Sequence, residues 1–229
     1  MEENITNEID FLEILKSAWE KFKANWQMLV ISTIIGFLVP MGLFIAFYIG
    51  IMGAIQLNVD MEAYKTTIGS SFFIVMILFY LILFLYTFGA QNVTLKIAKN
   101  QSVSFKDFFL NISTYLKLIG LMIATLILVS IGLALCIIPG IILAFFLQFS
   151  MLIIIENPKA GIIDSIKYSF AMVKKNWKPV IITTLIISAI SSVVGGTGIG
   201  LLVALPFQYL VISILYLIVK DKSNLLAIE

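Results

Sequence analysis

Charged side chains are absent from four long runs of this chain, 24–59, 66–95, 118–155 and 179–219, and are confined to the two ends of the chain and the short segments between the runs. A charge at the centre of a membrane helix costs about 2.5–3.5 kcal/mol, and a crossing helix takes about 20 apolar residues. The first two runs read as single spans, about 28–55 and 69–95, with a loop between them that holds Asn58, Asp60, Glu62, Lys65 and Thr66. Pro40 predicts a kink in the first span; the alternative, a hairpin within 24–59, needs two unusually short helices. The third run is too long for one helix and contains Cys136-Ile137-Ile138-Pro139-Gly140, where proline followed by glycine predicts a turn between spans of about 117–137 and 140–156. The fourth holds Gly195-Gly196-Thr197-Gly198-Ile199-Gly200 and divides into about 179–195 and 199–219.

The segments before the spans have their own pattern. Phe11, Leu12, Leu15, Trp19, Phe22 and Trp26 recur at helical spacing, and so do Ile162, Ile163, Ile166, Phe170, Val173 and Trp177. The two sets are one pattern displaced by 151 residues, with identities at Lys16/Lys167, Lys23/Lys174, Asn25/Asn176, Trp26/Trp177, Ile31/Ile182, Thr33/Thr184 and Ile35/Ile186. A weaker third copy, Phe108, Phe109, Ile112, Leu116 and Ile119, follows Ser104 as a candidate N-cap. Amphipathic helices of this kind lie at the headgroup boundary. The expected fold is therefore all-α: one polytopic membrane domain over 1–229, six transmembrane helices arranged as three hairpins. Each hairpin is preceded by a cytoplasmic interfacial helix, over about 9–26, 104–116 and 160–177. These helices read either as sensors of lipid or of a partner, or as a belt that orients the next span.

Lysine sets the orientation. With six spans, fourteen lysines fall on the side of both termini and Lys65 alone on the other. That bias predicts cytoplasmic termini. The acidic, amphipathic start, MEENITNEIDFLEILK, lacks the parts of a signal peptide, so the first span is expected to stay in the mature protein. The lysines would attract anionic phospholipid at the cytoplasmic face. A net charge of +2 is too small to imply a nucleic-acid partner.

Composition narrows the chemistry. The chain has no histidine and all 15 basic residues are lysine, so it offers neither an imidazole base nor a planar guanidinium fork. Cys136 is the one cysteine. No nucleophile–base pair, phosphate loop or metal cluster is apparent, and neither catalysis nor a cofactor is expected. The carboxylates lie in tails, loops or span ends; Glu156, at the end of the fourth span, comes nearest to membrane depth. Tyr80, Gln148 and Gln208 are polar groups at depth and candidates for lining a cavity, with Tyr86 and Ser150 as further polar groups there. Gly42, Ala46, Gly50 and Ala54, and likewise Gly196, Gly200 and Ala204, fall four apart, as small residues do where helices approach closely within a bundle or at a dimer face. The glycosylation patterns at Asn4, Asn92 and Asn111 fall on or near the cytoplasmic side and are set aside.

The stretch from Ile137 to Ile186 resembles the membrane domain that anchors some bacterial glycerophosphodiester phosphodiesterases, and related uncharacterised six-span proteins of bacteria and archaea. The shared pattern is a Pro-Gly turn, a span ending near a Glu, a helix with basic–x–Ser–aromatic, and an aromatic before the next span. Here these fall on Pro139-Gly140, Glu156, Lys167-Tyr168-Ser169-Phe170 and Asn176-Trp177, with an echo at Lys16-Ser17-Ala18-Trp19 and Asn25-Trp26. The resemblance implies the fold. It does not imply phosphodiester hydrolysis, which in those proteins belongs to a separate histidine-bearing barrel. The functional expectation is a non-catalytic scaffold or accessory subunit of a prokaryotic cytoplasmic membrane that engages lipid, with a membrane-protein partner or a second copy. The alternative is a carrier or exporter of a lipid or hydrophobic peptide, or an immunity protein against one.

Overall fold

The computed structural model describes residues 10–56 and 61–223. Among these the chain is helical throughout, without strands: α1 (Phe11–Gln56), α2 (Met61–Ala98), a single 3-10 turn (Phe105–Phe108), α3 (Ile112–Leu135), α4 (Ile137–Leu147), α5 (Ser150–Glu156), α6 (Ile162–Lys175), α7 (Trp177–Gly195) and α8 (Leu201–Ser223). With α4 and α5 taken together, six helices are long and apolar enough to cross a membrane. Asn4, Asn58 and Asp60 lie outside the described residues. Glu62, Lys65 and Thr66 belong to α2 rather than to a loop.

The three expected interfacial helices have three different outcomes. The first is not separate: α1 runs unbroken for 46 residues, with Pro40 inside it. The second copy does form a separate helix, α6, which ends at Lys175, with Asn176 alone between it and the start of α7 at Trp177. The cause is one residue. Pro179 stands where the first copy has Met28, and a helix continuing through Pro179 would lose an amide donor and meet the carbonyl four residues back. In the first turn of α7 neither penalty arises. The third copy is not an α-helix. Ser104 precedes the single 3-10 turn, Phe109 is extended, and α3 starts only at Ile112. Tertiary contacts hold this segment. A Cβ on Gly89 would stand 2.3 Å from the Phe108 carbonyl, Asn92 donates to the Asp107 carbonyl at 2.7 Å, and Lys96 pairs with Asp107 at 2.6 Å.

The apolar stripes also divide differently from expectation. Ile14, Ala18, Phe22 and Leu29 are buried on α1; 151 residues on, so are Ser165, Ser169, Val173 and Val180. Leu12, Trp19 and Trp26 are exposed, as are Ile163, Phe170 and Trp177. The contact thus mixes large apolar residues, Ile14, Phe22 and Leu29, with small ones, Ala18, Ser165 and Ser169, while other large apolar residues face outward. The two asparagines make the same bond: Asn25 donates to the Lys21 carbonyl and Asn176 to the Met172 carbonyl, each four residues back.

Helix α8 is central. Leu210, Val211, Leu215, Tyr216 and Val219 are buried on it, in one core with Phe22 of α1, Val93 of α2 and Phe149 between α4 and α5. The outer halves of α1 and α2 pair through Phe44–Phe79 and Phe47–Phe72, with ring centroids 4.9 and 5.9 Å apart. The α3–α4 turn is a single residue, Cys136, and Pro139 sits in the first turn of α4 instead of forming the turn. Gly140 is buried because α4 passes so close to α3 that a Cβ there would be 2.7 Å from the Leu133 amide nitrogen. Between α7 and α8, Gly198 has φ +73°, a left-handed value that favours glycine. Ala204 is buried in the bundle and Gly200 is half-buried against the Val194 carbonyl of the same turn, whereas Gly42 and Gly50 face open space.

Candidate functional site

Two polar centres lie at either end of α5. The first is the interruption of the fourth span at Gln148 and Phe149, between α4 and α5. Residues at such a break cannot complete the helical ladder, and within a bilayer the freed groups have no water to turn to. Ser169 of α6, fully buried, supplies the missing partner. Its hydroxyl donates to the Phe146 carbonyl at 2.7 Å and accepts the Phe149 amide at 3.2 Å. The Thr184 hydroxyl of α7 donates to Gln148 Oε1 at 3.0 Å. Gln148 Nε2 and the hydroxyl of the fully buried Ser150 have no partner, so the break keeps unspent hydrogen-bonding capacity.

The second centre is Glu156, the last residue of α5. Lys99 and Lys220 approach its Oε1 at 2.7 and 2.8 Å, and Tyr216 donates its hydroxyl to Oε2. The Glu156 side chain is 15% exposed and the two lysines about twice that, so the carboxylate is held from two sides at the rim of the core. Three elements meet on it: the end of α2, the end of α5 and the last turns of α8.

Other lysines act in the same way. Lys21 donates to Asn100 Oδ1 and the Ile97 carbonyl at the end of α2. Lys117 reaches the Pro158 and Ala160 carbonyls after α5, and Lys175 the Ser223 carbonyl at the end of α8. Carbonyls at a helix C-terminus carry partial negative charge and lack intrahelical donors, so a cation from a neighbouring helix satisfies both needs. Asn100 itself has φ +58° and closes α2: its amide donates to the Ile97 carbonyl and the Gln101 amide to the Lys96 carbonyl.

Elsewhere in the bundle, polar side chains pair across helices. Thr33 bonds Tyr86 at 2.7 Å and Thr94 bonds Ser213 at 3.1 Å. Gln208 donates to Ser188 at 3.4 Å. Gln148 and Gln208 therefore both engage α7, at Thr184 and Ser188, one turn apart. Tyr80 does not join them. It is 60% exposed on α2, beside a shallow apolar groove of about 440 Å³ shared with Phe84 and Met122.

Of the motif residues, Pro139 and Gly140 shape the start of α4, Glu156 and Ser169 form the two centres, and Asn176 joins α6 to α7. Lys167 is exposed, as are Trp19, Trp26 and Trp177. Asn25 lies inside the continuous α1. Sequence reasoning treated Lys99 and Lys220 only as charge bias and passed over Tyr216; its four-residue spacing from Lys220, which puts both on one helix face, was the available signal. No protein-family model matches the chain, and no curated protein or solved structure does either.

Proposed function

We propose that this chain is a non-catalytic, multi-pass protein of a prokaryotic cytoplasmic membrane that serves as a scaffold or accessory subunit and engages lipid at its cytoplasmic face. The observation that carries this reading is the locked lysine-rich end. Lys21, Lys99, Lys117, Lys175 and Lys220 each tie one element to the end of another helix, so the ends of α2, α5 and α8 are held to their neighbours. A platform benefits from such rigidity; a carrier that alternates its access would have to break several ties per cycle. Exposed Lys16, Lys23, Lys167 and Lys174 remain on the outer faces, available to anionic headgroups. The equivalent burial of positions 151 apart supports a duplicated unit, an amphipathic helix followed by a span. The kinship with phosphodiesterase membrane anchors belongs to this same proposal.

Polymer nanodiscs cut directly from membranes, followed by mass spectrometry of everything retained, test it. A stoichiometric protein partner, lost on charge reversal at Lys174 and Lys175, supports the scaffold. Orientation is read separately from Cys136, exposed at the α3–α4 turn. Under this reading a membrane-impermeant maleimide labels it from outside intact cells.

The second reading, a carrier of or immunity protein against a lipid or hydrophobic peptide, draws on the interrupted fourth span with its unpartnered Gln148 and Ser150. Broken helices hold substrate in many transporters. A selectively retained lipid or peptide without a protein partner would favour it.

A further inference from the structure

A cavity of about 600 Å³ opens at the lysine-rich end between the start of α1, the end of α2 and the end of α8. That volume lies in the range of small-ligand sites. Its polar lining has both signs of charge: Asp10 and Glu13, then Ser17, then Lys21 along α1, with Asn100 and Lys222 contributed from α2's C-terminal turn and from α8. Aliphatic side chains of α1 and α8, Ile14 and Ile218 among them, complete the wall.

The order of these charges is informative. Glu13 and Lys21 are two helical turns apart, about 12 Å along the axis, and share a face. Lys21 is nearer the uncharged run that begins at residue 24, and the carboxylates are farther out. Moving away from the membrane, a ligand on this wall meets apolar side chains, a cation, a hydroxyl and then two carboxylates. A phospholipid bearing a terminal primary ammonium presents the complementary sequence: acyl chains, an anionic phosphodiester, then a cation with three hydrogen-bond donors. A lipid without the ammonium brings no cation of its own to the two carboxylates on the α1 wall. One with a quaternary ammonium cannot hydrogen-bond to them.

The geometry points to this cavity as a site for an ethanolamine-type phospholipid headgroup, its phosphodiester on Lys21 and its ammonium on Glu13 and Asp10. This rests on the reading that the lysine-rich end engages lipid, and names the lipid class. It is distinct from general attraction of anionic lipid to the exposed lysines, because it requires the carboxylates.

The test uses the full chain, delipidated in a non-ionic detergent and titrated with short-chain phosphatidylethanolamine, phosphatidylcholine and phosphatidylglycerol, with bound lipid counted by native mass spectrometry. We expect the first phosphatidylethanolamine to bind at least fivefold more tightly than either of the others. Asp10→Asn with Glu13→Gln should remove that preference while leaving thermal stability unchanged, since both positions are exposed. Lys21→Gln should weaken all three lipids. Equal or tighter binding of phosphatidylglycerol, or a preference that survives loss of both carboxylates, overturns the site while leaving general lipid engagement standing. Binding of no lipid class removes both readings. Free phosphoethanolamine binding more tightly than the lipid overturns the assignment of a lipid as the occupant.

Discussion

The hydroxyl of Ser169 accepts the backbone amide of Phe149 inside the break of the fourth span, at 3.2 Å, and returns a bond to the Phe146 carbonyl at 2.7 Å. One side chain on α6 thus completes the ladder of another helix. Ser169→Ala leaves a buried donor and a buried acceptor unsatisfied, at about 1–3 kcal/mol per orphaned group. A destabilisation of about 2–4 kcal/mol is expected in a thermal or denaturant melt in detergent. Ser169→Val should be worse, because it adds volume at a fully buried position. An alanine variant as stable as wild type would show that the break closes without Ser169.

Glu156 holds two lysines and a tyrosine, so its loss is not symmetrical with theirs. Glu156→Leu leaves Lys99 and Lys220 close together without their shared anion. Fully buried pairs lose about 3–5 kcal/mol when broken, and exposed ones about 0–1. The partial exposure of the lysines puts the expected loss near 2 kcal/mol. Glu156→Gln should lose less, since it can still accept from Tyr216. A triple Glu156→Met, Lys99→Met, Lys220→Met variant should recover most of the stability, because no charge is left unpaired. If the triple variant is less stable than Glu156→Leu, the ion cluster is a net stabiliser in its own right.

The span pattern was legible because the bilayer leaves few ways to bury backbone, and uncharged runs report it directly. Six helices long and apolar enough to cross, and the breaks near Cys136 and at Gly195–Gly200, could be read from charge and from Pro and Gly alone. Helix faces were harder. Hydrophobic periodicity marks a stripe, but in lipid the outward face is apolar too, so Trp19 and Phe22 carried the same signal and have opposite burial. The inward face includes small residues, Ala18 and Ser169, which no hydrophobicity count rewards. The segment 104–111 was misread because its conformation is set by Gly89, Asn92 and Lys96, which lie earlier in the chain. Glu156 was noticed as an isolated carboxylate, but its partners come from α2 and α8, and no local spacing reveals that meeting.

The difference between the two amphipathic copies can be tested by exchanging one residue. Met28→Pro places a proline inside the continuous α1 at the position of Pro179. It removes the Met28 amide donor and crowds the Ala24 carbonyl, at about 3 kcal/mol or more. We expect a large drop in melting temperature and new protease sensitivity near residues 24–28. Pro179→Met should be nearly silent, because Pro179 occupies the first turn of α7, where its missing N–H has no intrahelical role. Equal effects of the two exchanges would argue against proline as the cause of the α6–α7 break.

The segment Ser104–Phe109 should respond to acid through Asp107. The Lys96 ammonium beside it, with the Ser104 amide at 2.6 Å, holds the Asp107 carboxyl below its ordinary range. A carboxyl whose folded pKa is depressed stabilises the fold above its unfolded value of about 3.9 and loses that contribution as pH falls through the folded value. The segment should therefore be protected at neutral pH and loosen only below about pH 4. Hydrogen exchange at Asp107 and Phe109 reads this, since both amides bond within the segment. Asp107→Asn removes the charge and should give the looser exchange at every pH, with no acid transition. Lys96→Met should raise the pH at which the transition occurs, because the carboxyl loses the cation that favours its ionised form. An acid transition that persists in Asp107→Asn would assign it to another group.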